Sequence, residues 1–175
     1  MELLEVFRQR RSVRAYKPQP VEESKLKRIL EAANMAPSAG NLQAYKVHIF
    51  RDEAKRRALT KAAHDQGYIL EAPVCLVFSA DPERSEARYG KRGSELYSVQ
   101  DATIAGSFAM LAAVDLGLAT VWVGDFDEGK VQEILQSKRL RPVAMFSLGY
   151  AAEQPAPSPR RPLEEIFTGD FPQTD

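Results

Sequence analysis

The residues Arg10–Arg14 place three guanidinium groups and one hydroxyl group within a short stretch near the N-terminus. An arginine side chain stays protonated and presents a planar set of donors that suits a phosphate or another anion. If the chain changes from helix to extended backbone here, Arg10, Ser12 and Arg14 can converge on one bound anion. Two simpler interpretations stand beside this one. The string resembles a kinase recognition site, and basic residues commonly close a helix, where they favour its dipole.

No other sequence motif offers a phosphate site. Two histidines and one cysteine lie far apart and form no zinc-binding pattern. The chain contains no G-x-S-x-G, no Walker loop and no G-x-G-x-x-G. A phosphate bound by this chain would therefore be held by side chains rather than by a glycine-rich loop.

Hydrophobic spacing and turn residues predict the elements that position this motif. Apolar residues at helical spacing predict helices over 2–10, 21–35 and 95–116, and Asp52 and Asp127 are typical N-caps of helices that reach 64 and 135. Apolar or alternating runs predict strands over 46–51, 74–78, 119–123 and 142–149. The charged residues 81–93 predict a loop or flexible lid. This alternation by itself favours a parallel α/β sheet.

Bulk composition limits the classes of function. The chain has 175 residues, with 24 basic and 24 acidic side chains, which argues against a nucleic-acid or membrane-surface protein. No apolar run approaches the ~20 residues of a membrane span. The single cysteine, Cys75, lies in an apolar run and is predicted to be a reduced core residue. We expect a cytoplasmic protein of one domain, 1–175, whose proline-rich segment 151–175 forms an extended tail.

Four segments together resemble the FMN-dependent nitroreductase family, and they occur in the family's order: Arg10–Arg14, Pro37–Gln43, Gly117–Asp127 and Arg160–Ile166. Gln100 and Asp101 also fit the family's pattern. The resemblance implies an α+β fold with a central, mostly antiparallel sheet flanked by helices, and it takes precedence over the parallel sheet favoured by the alternation. It also implies an intertwined homodimer with two FMN sites at the interface. The small residues of the helix over 95–116 would then pack at the dimer core, and the tail would embrace the other subunit.

The resemblance implies a set of FMN-binding residues and neither a catalytic side chain nor a metal site. Arg10 and Ser12 would contact the phosphate and ribityl chain with Arg160 or Arg161, and Arg14 would lie near the pyrimidine edge of the flavin. Residues of 37–43 would reach the flavin from the partner subunit, and backbone N–H groups near residue 124 would face the flavin N5. The full predicted set is Arg10, Arg11, Ser12, Arg14, Pro37, Ser38, Ala39, Asn41, Gln43, Val123, Gly124, Asp125, Arg160 and Arg161.

The activity implied by the resemblance is an FMN-dependent oxidoreductase that uses NADH or NADPH. Hydride transfer through the flavin N5 in a ping-pong cycle would reduce a small-molecule acceptor, such as a nitroaromatic, a quinone or another flavin. Tyr97, Trp122 and Phe126 are candidates for lining the acceptor site or for filling the core. Two departures from the family pattern are the lack of a lysine or arginine in 64–68 and Asp125 in a position often filled by glycine. The alternatives are a dehalogenase, a flavin-degrading enzyme or a non-catalytic flavin-binding redox sensor.

Overall fold

A four-stranded antiparallel sheet forms the centre of the computed structural model, which describes residues 1–169. Its strands lie in the order β1-β2-β4-β3, and every neighbouring pair is antiparallel. The antiparallel α+β expectation is therefore confirmed, and the parallel sheet favoured by the alternation of elements is wrong. Alternation does not encode strand direction, because a connecting helix can return the chain to either end of a sheet. The strands are β1 (Tyr45–Phe50), β2 (Val74–Ala80), β3 (Ala119–Val123) and β4 (Arg141–Gly149).

Helices surround this sheet, and two of the predicted N-caps are present. The Asp52 and Asp127 side chains accept hydrogen bonds from the backbone N–H groups of Lys55 and Lys130. Short turns of other helical types occur at Ala39–Asn41, Gly93–Tyr97 and Leu163–Glu165. The α-helices are α1 (Leu3–Gln9), α2 (Glu23–Asn34), α3 (Glu53–Ala62), α4 (Tyr68–Glu71), α5 (Pro82–Arg92), α6 (Ser98–Asp115) and α7 (Glu128–Leu135).

The segment 81–93 is a helix, α5, and not the loop or flexible lid that its charge predicts. Asp81 caps it by accepting a hydrogen bond from the Arg84 N–H at 3.3 Å, and Pro82 lies in the first turn, where its missing N–H is not needed. The high charge reflects the position of this helix on the surface. A kink at Gly90, which has a φ of 56°, precedes the π-helical turn that leads into α6.

The core lies on both faces of the sheet. One face packs Phe78 and Phe146 against α2 and α6, with the two rings 4.9 Å apart between centroids. The small residues of α6 are buried in this layer, and Gly106 lies against the Phe146 ring. The other face contains Cys75, and burial raises the pKa of its thiol to about 12. This thiol is therefore neutral at physiological pH and inert as a nucleophile.

The chain after α1 runs beside the edge strand β3. Ser12 forms a parallel bridge with Thr120, and the Val13 N–H donates to the Thr120 carbonyl at 3.2 Å. Tyr16 then forms an antiparallel bridge with Ala151, where the tail begins. The arginine motif and the tail are thus both fixed to the same edge of the sheet. Residues 170–175, part of the tail predicted over 151–175, lie outside the described residues, and the one-domain organisation stays a prediction.

Gly149→Ala tests the packing at this edge. A Cβ at Gly149 would lie 2.7 Å from Cδ of Pro73 and 3.0 Å from Cδ1 of the buried Tyr16. We expect the substitution to lower the free energy of unfolding by about 1–3 kcal/mol, as overpacking does. Gly67→Ala is the control, because no atom lies within 4 Å of a Cβ built there. Equal urea midpoints for both variants and the wild type would contradict the packing described here.

Candidate functional site

A cavity of about 510 Å³ lies where the C-terminal end of α1, the strand-like segment after it and the tail meet. It brings together residues that are distant in the sequence, since the tail is folded back along the arginine motif. The Arg14 N–H donates to a carboxylate oxygen of Glu153 at 2.5 Å, which fixes the tail at this position. The cavity is lined by Phe7, Arg8, Arg10, Arg11, Ser12, Arg14, Pro155, Ala156, Pro157, Ser158 and Arg160.

Three of the arginines that line this cavity have no carboxylate partner within the described residues. Burial, followed by the neighbouring guanidinium groups of Arg160 and Arg11, lowers the pKa of Arg10. Among residues 1–169, no carboxylate forms an ion pair with Arg10, Arg11 or Arg160. Clustered guanidinium groups repel one another, so a bound anion would stabilise this arrangement.

Arg11 differs from the other arginines of the motif. Its Nη1 donates to the carbonyls of Arg8 and Arg10, at 2.5 and 2.8 Å, and so satisfies acceptors at the C-terminal end of α1. The interpretation of a basic helix end therefore applies to this residue. Arg161 is exposed and does not line the cavity, whereas Arg160 does.

The predicted residues 123–125 lie at the far end of the same edge strand. From Thr120, beside Ser12, to Gly124 the strand advances about 13 Å. Val123 is buried, Gly124 and Asp125 are exposed, and neither of these two N–H groups donates a hydrogen bond within the described part of the chain. The edge strand therefore joins a cluster of cations at one end to unused backbone donors at the other.

Arg14 and the turn before α4 lie near the end of β3 at residues 123–125. The Arg14 guanidinium lies 6.0 Å from the centre of the Tyr68 ring. The Gln66 side chain donates to the Asp125 carbonyl at 2.9 Å, and His64 Nε2 lies 3.6 Å from an Asp125 carboxylate oxygen. The segment 64–68, which has no lysine or arginine, thus contacts Asp125 after β3. Arg14, beside Tyr68 of that segment, contributes positive charge.

The predicted loop 37–43 is shaped by a buried carboxylate. Asp101, at the start of α6, is 2% exposed and accepts hydrogen bonds from the N–H groups of Ala39, at 2.9 Å, and Ala44, at 3.2 Å. The Ser38 hydroxyl accepts a bond from the Gln43 N–H at 2.9 Å. The backbone has positive φ at Gly40, Asn41 and Gln43. This geometry leaves Pro37 and Asn41 exposed and Ser38, Ala39 and Gln43 half-buried.

A second cavity, of about 500 Å³, lies against this loop. It contains Tyr97, one of the candidates for an acceptor site. The other two candidates take part in packing. The Trp122 ring lies tilted against Phe146 with 5.0 Å between centroids, and Phe126 packs against the core that contains Val123. The lining residues are Pro37, Ser38, Ala39, Tyr97, Val99, Gln100, Asp101, Thr103 and Ile104.

The two sets of predicted residues lie at opposite ends of α6. Asp101, in the first turns of α6, holds the loop 37–43. Val114 and Gly117, near the last turn of α6, lie beside Arg8 and Arg11. A helix of 18 residues spans about 27 Å. One chain therefore brings Arg10, Ser12, Arg14 and Arg160 to the edge that ends at Gly124, and it does not bring the loop 37–43 to them.

Comparison with known proteins identifies the family. The sequence model of the Nitroreductase family matches residues 7–68 and 66–150. The chain belongs to the nitroreductase family. Among curated relatives, NADH dehydrogenase of Thermus thermophilus is 35% identical and covers 90% of each chain. FMN reductase (NAD(P)H) of Bacillus subtilis is 32% identical over 94% of this chain and 72% of its own.

Solved structures show the same family fold. The hypothetical oxidoreductase YcnD from Bacillus subtilis superimposes with a TM-score of 0.90 at 30% identity, over 98% of this chain and 74% of its own. NfrA2 of B. megaterium superimposes with a TM-score of 0.91 at 28% identity, over 100% of this chain and 76% of its own. The fold expected for a nitroreductase is thus present in this chain. No helix within residues 1–169 is long and apolar enough to cross a membrane.

Sequence reasoning missed several residues that shape these sites. Asp101 was noted only as part of the family pattern, and a buried carboxylate that accepts loop N–H groups has no local signature. Glu153 fixes the tail, and Tyr68 lies beside Arg14. Arg88, on the helix α5 that the charge pattern predicts as a loop or flexible lid, donates to the Gly40 carbonyl at 3.2 Å. The local signal that could have indicated that helix is the cap residue Asp81 followed by Pro82.

Asp101→Asn tests the loop anchor. Replacing the carboxylate removes a charge and places amide hydrogens opposite the N–H groups of Ala39 and Ala44, so the local opening free energy should fall by about 1–3 kcal/mol. Hydrogen exchange of these two amides should therefore be faster. Asp115→Asn on the same helix is the control, because its carboxylate contacts only the N-terminal amino group at the surface. Equal exchange in both variants would exclude Asp101 as the anchor.

Proposed function

We propose that this protein is an FMN-dependent oxidoreductase that uses NADH or NADPH to reduce small-molecule acceptors, among them nitroaromatics, quinones and free flavins. The observation that carries the proposal is the group of unneutralised guanidiniums at Arg10 and Arg160, at one end of an edge strand that ends in unused backbone donors. The relatives named NADH dehydrogenase and FMN reductase support it. A cytoplasmic location fits a nicotinamide-dependent reaction and belongs to the same proposal.

The residues present fit FMN. A phosphate dianion needs about two positive charges and several donors, which Arg10, Arg160 and Ser12 supply. Arg14 lies further along the edge, where a cation stabilises negative charge on the reduced pyrimidine ring and raises the reduction potential. The N–H groups of Gly124 and Asp125 can donate to a ring nitrogen without competing as acids. The side chain of Val123, the last residue of β3, is buried and so anchors the backbone that carries these donors.

The protein supplies position and charge rather than an acid, a base or a nucleophile. FMN, when bound, would supply the hydride and electron-transfer chemistry between the nicotinamide and the acceptor. The role of Arg11 in this scheme is to keep the end of α1 intact, so that Arg10 points into the cavity. Arg161 adds positive charge near the mouth of the site. Because donor and acceptor use one site in turn, the kinetics should be ping-pong.

A complete site needs a second copy of the chain. Pro37, Ser38, Ala39, Asn41 and Gln43 lie at the end of α6 that is remote from the arginine cavity. In a homodimer they would reach the cofactor held by the other subunit. Apolar side chains exposed in the single chain support this assembly, since an interface would bury them: Leu3 61%, Leu4 63%, Phe7 48%, Phe108 39%, Leu163 54% and Ile166 49%.

Arg10→Ala tests the phosphate site. Removing a half-buried guanidinium that pairs with a phosphate should weaken FMN binding by about 2–4 kcal/mol, as expected for one partner of a buried charge pair. A flavin fluorescence titration measures this loss. Arg57→Ala is the control, because its guanidinium lies on the exposed face of α3 and pairs with Glu53. Unchanged affinity in the Arg10 variant would exclude the assignment.

Mixing two defective variants tests the shared site. Gly40→Val should deform the loop, because φ is 55° there and a Cβ would lie 2.3 Å from the Tyr89 hydroxyl. In a mixed dimer with Arg10→Ala, one site has both defects and the other has neither. Mixing equal amounts after reversible dissociation should therefore restore FMN at about a quarter of the sites. No recovery, with mixed dimers demonstrated by mass spectrometry, would place the whole site within one chain.

A further inference from the structure

The exposed face of α5 carries a row of arginines with no carboxylate partner. Arg84, Arg88 and Arg92 follow one another at intervals that place them along one side of a helix, although the kink at Gly90 separates the last from the other two. Within residues 1–169, no ion pair forms to any of the three, and the nearby Glu83 and Glu95 pair instead with Arg139 and Lys91. The row therefore carries three positive charges that form no ion pair within the described residues, although Glu86 lies on the same helix.

Each arginine of this row is held by a neutral acceptor. Arg84 Nε donates to the Leu42 carbonyl, Arg88 Nη1 to the Gly40 carbonyl at 3.2 Å and Arg92 Nε to the Tyr97 hydroxyl at 2.9 Å. A guanidinium has five N–H donors, so most donors in the row stay available. Solvated surface arginines are usually paired or free to move, whereas these three are positioned and left charged.

The row lies beside the loop 37–43, which in the proposed dimer would contact the cofactor of the other subunit. Its carbonyl acceptors belong to the loop 37–43, and Tyr97 lines the cavity against that loop. From residue 84 to residue 88 the helix advances about 6 Å, and Arg92 follows beyond the kink at Gly90. The rings of Tyr89 and Tyr97, 5.2 Å apart, lie next to Arg88 and Arg92 and offer aromatic surface beside the charge.

We propose that this row binds the 2′-phosphate of NADPH and makes NADPH the preferred electron donor. This inference rests on the proposed function, since it assigns the donor of that site. A pyrophosphate is common to NADH and NADPH, so contacts to it do not discriminate between them. The 2′-phosphate adds a dianion that only NADPH carries, and three guanidiniums offer enough donors to bind it in addition to the pyrophosphate.

The direct test is a binding measurement with two probes that differ only in the 2′-phosphate. Adenosine 2′,5′-bisphosphate should bind the FMN-loaded protein at least about tenfold more tightly than 5′-AMP in calorimetric titrations, the gain of a charge-assisted contact. Arg88→Gln and Arg92→Gln should each reduce this difference and leave 5′-AMP binding almost unchanged. Equal affinity for both probes in the wild type would overturn the proposal.

Steady-state kinetics provide the second readout. The wild type should show a higher kcat/KM with NADPH than with NADH, and the two Gln variants should lose about tenfold with NADPH only. NADH is the internal control, because a disturbed loop lowers both values together. Arg57→Gln, with its pair to Glu53, is the matched surface control. Variants that keep the wild-type NADPH:NADH ratio would also overturn the proposal.

These outcomes separate this inference from the proposed function. A protein that binds no FMN contradicts the proposed function. A protein that binds FMN and oxidises NADH and NADPH equally well keeps the proposed function and contradicts only the role of the arginine row.

Discussion

The pairing of the segment after α1 with the edge strand β3 is the constraint on which the candidate site depends. The Ser12–Thr120 bridge fixes Arg10 and Arg14 along that edge, and the Tyr16–Ala151 bridge brings the tail and Arg160 back to them. Backbone hydrogen bonds thereby hold like charges together that would otherwise separate. The resulting repulsion is the physical basis for the proposed anion site, because a phosphate dianion would remove it.

The other half of the site depends on a different interaction. A single buried carboxylate, Asp101, receives two N–H groups of the loop and fixes its left-handed backbone against the start of α6. The length of α6 separates this loop from the arginine cavity within one chain. Because of that separation, a complete site in the proposed dimer would need the edge strand of one subunit and the loop of the other. The arginines of α5 lie beside the same loop, since Arg84 and Arg88 donate to its carbonyls.

Local signals in the sequence were enough for most elements. The caps at Asp52 and Asp127 and the four strands were predicted from composition and spacing, and the family resemblance gave the antiparallel sheet that alternation alone did not. The helix at 82–92 was missed because its surface charge outweighed the start signal of Asp81 and Pro82. The anchoring roles of Asp101 and Glu153 could not be predicted, because each depends on a partner distant in the sequence. Arg11 was grouped with the cavity arginines, although its guanidinium also folds back on its own helix end.

The most direct measurement is the absorbance spectrum of the purified protein, supplied with FMN and then reduced anaerobically with NADPH or NADH. The account predicts bound flavin with a band near about 450 nm that bleaches when the nicotinamide is added and returns when an acceptor such as a quinone follows. A protein that retains no flavin after FMN is supplied would contradict the cofactor site. If flavin binds but neither NADPH nor NADH reduces it, the result would contradict the proposed oxidoreductase activity and favour a flavin-binding sensor.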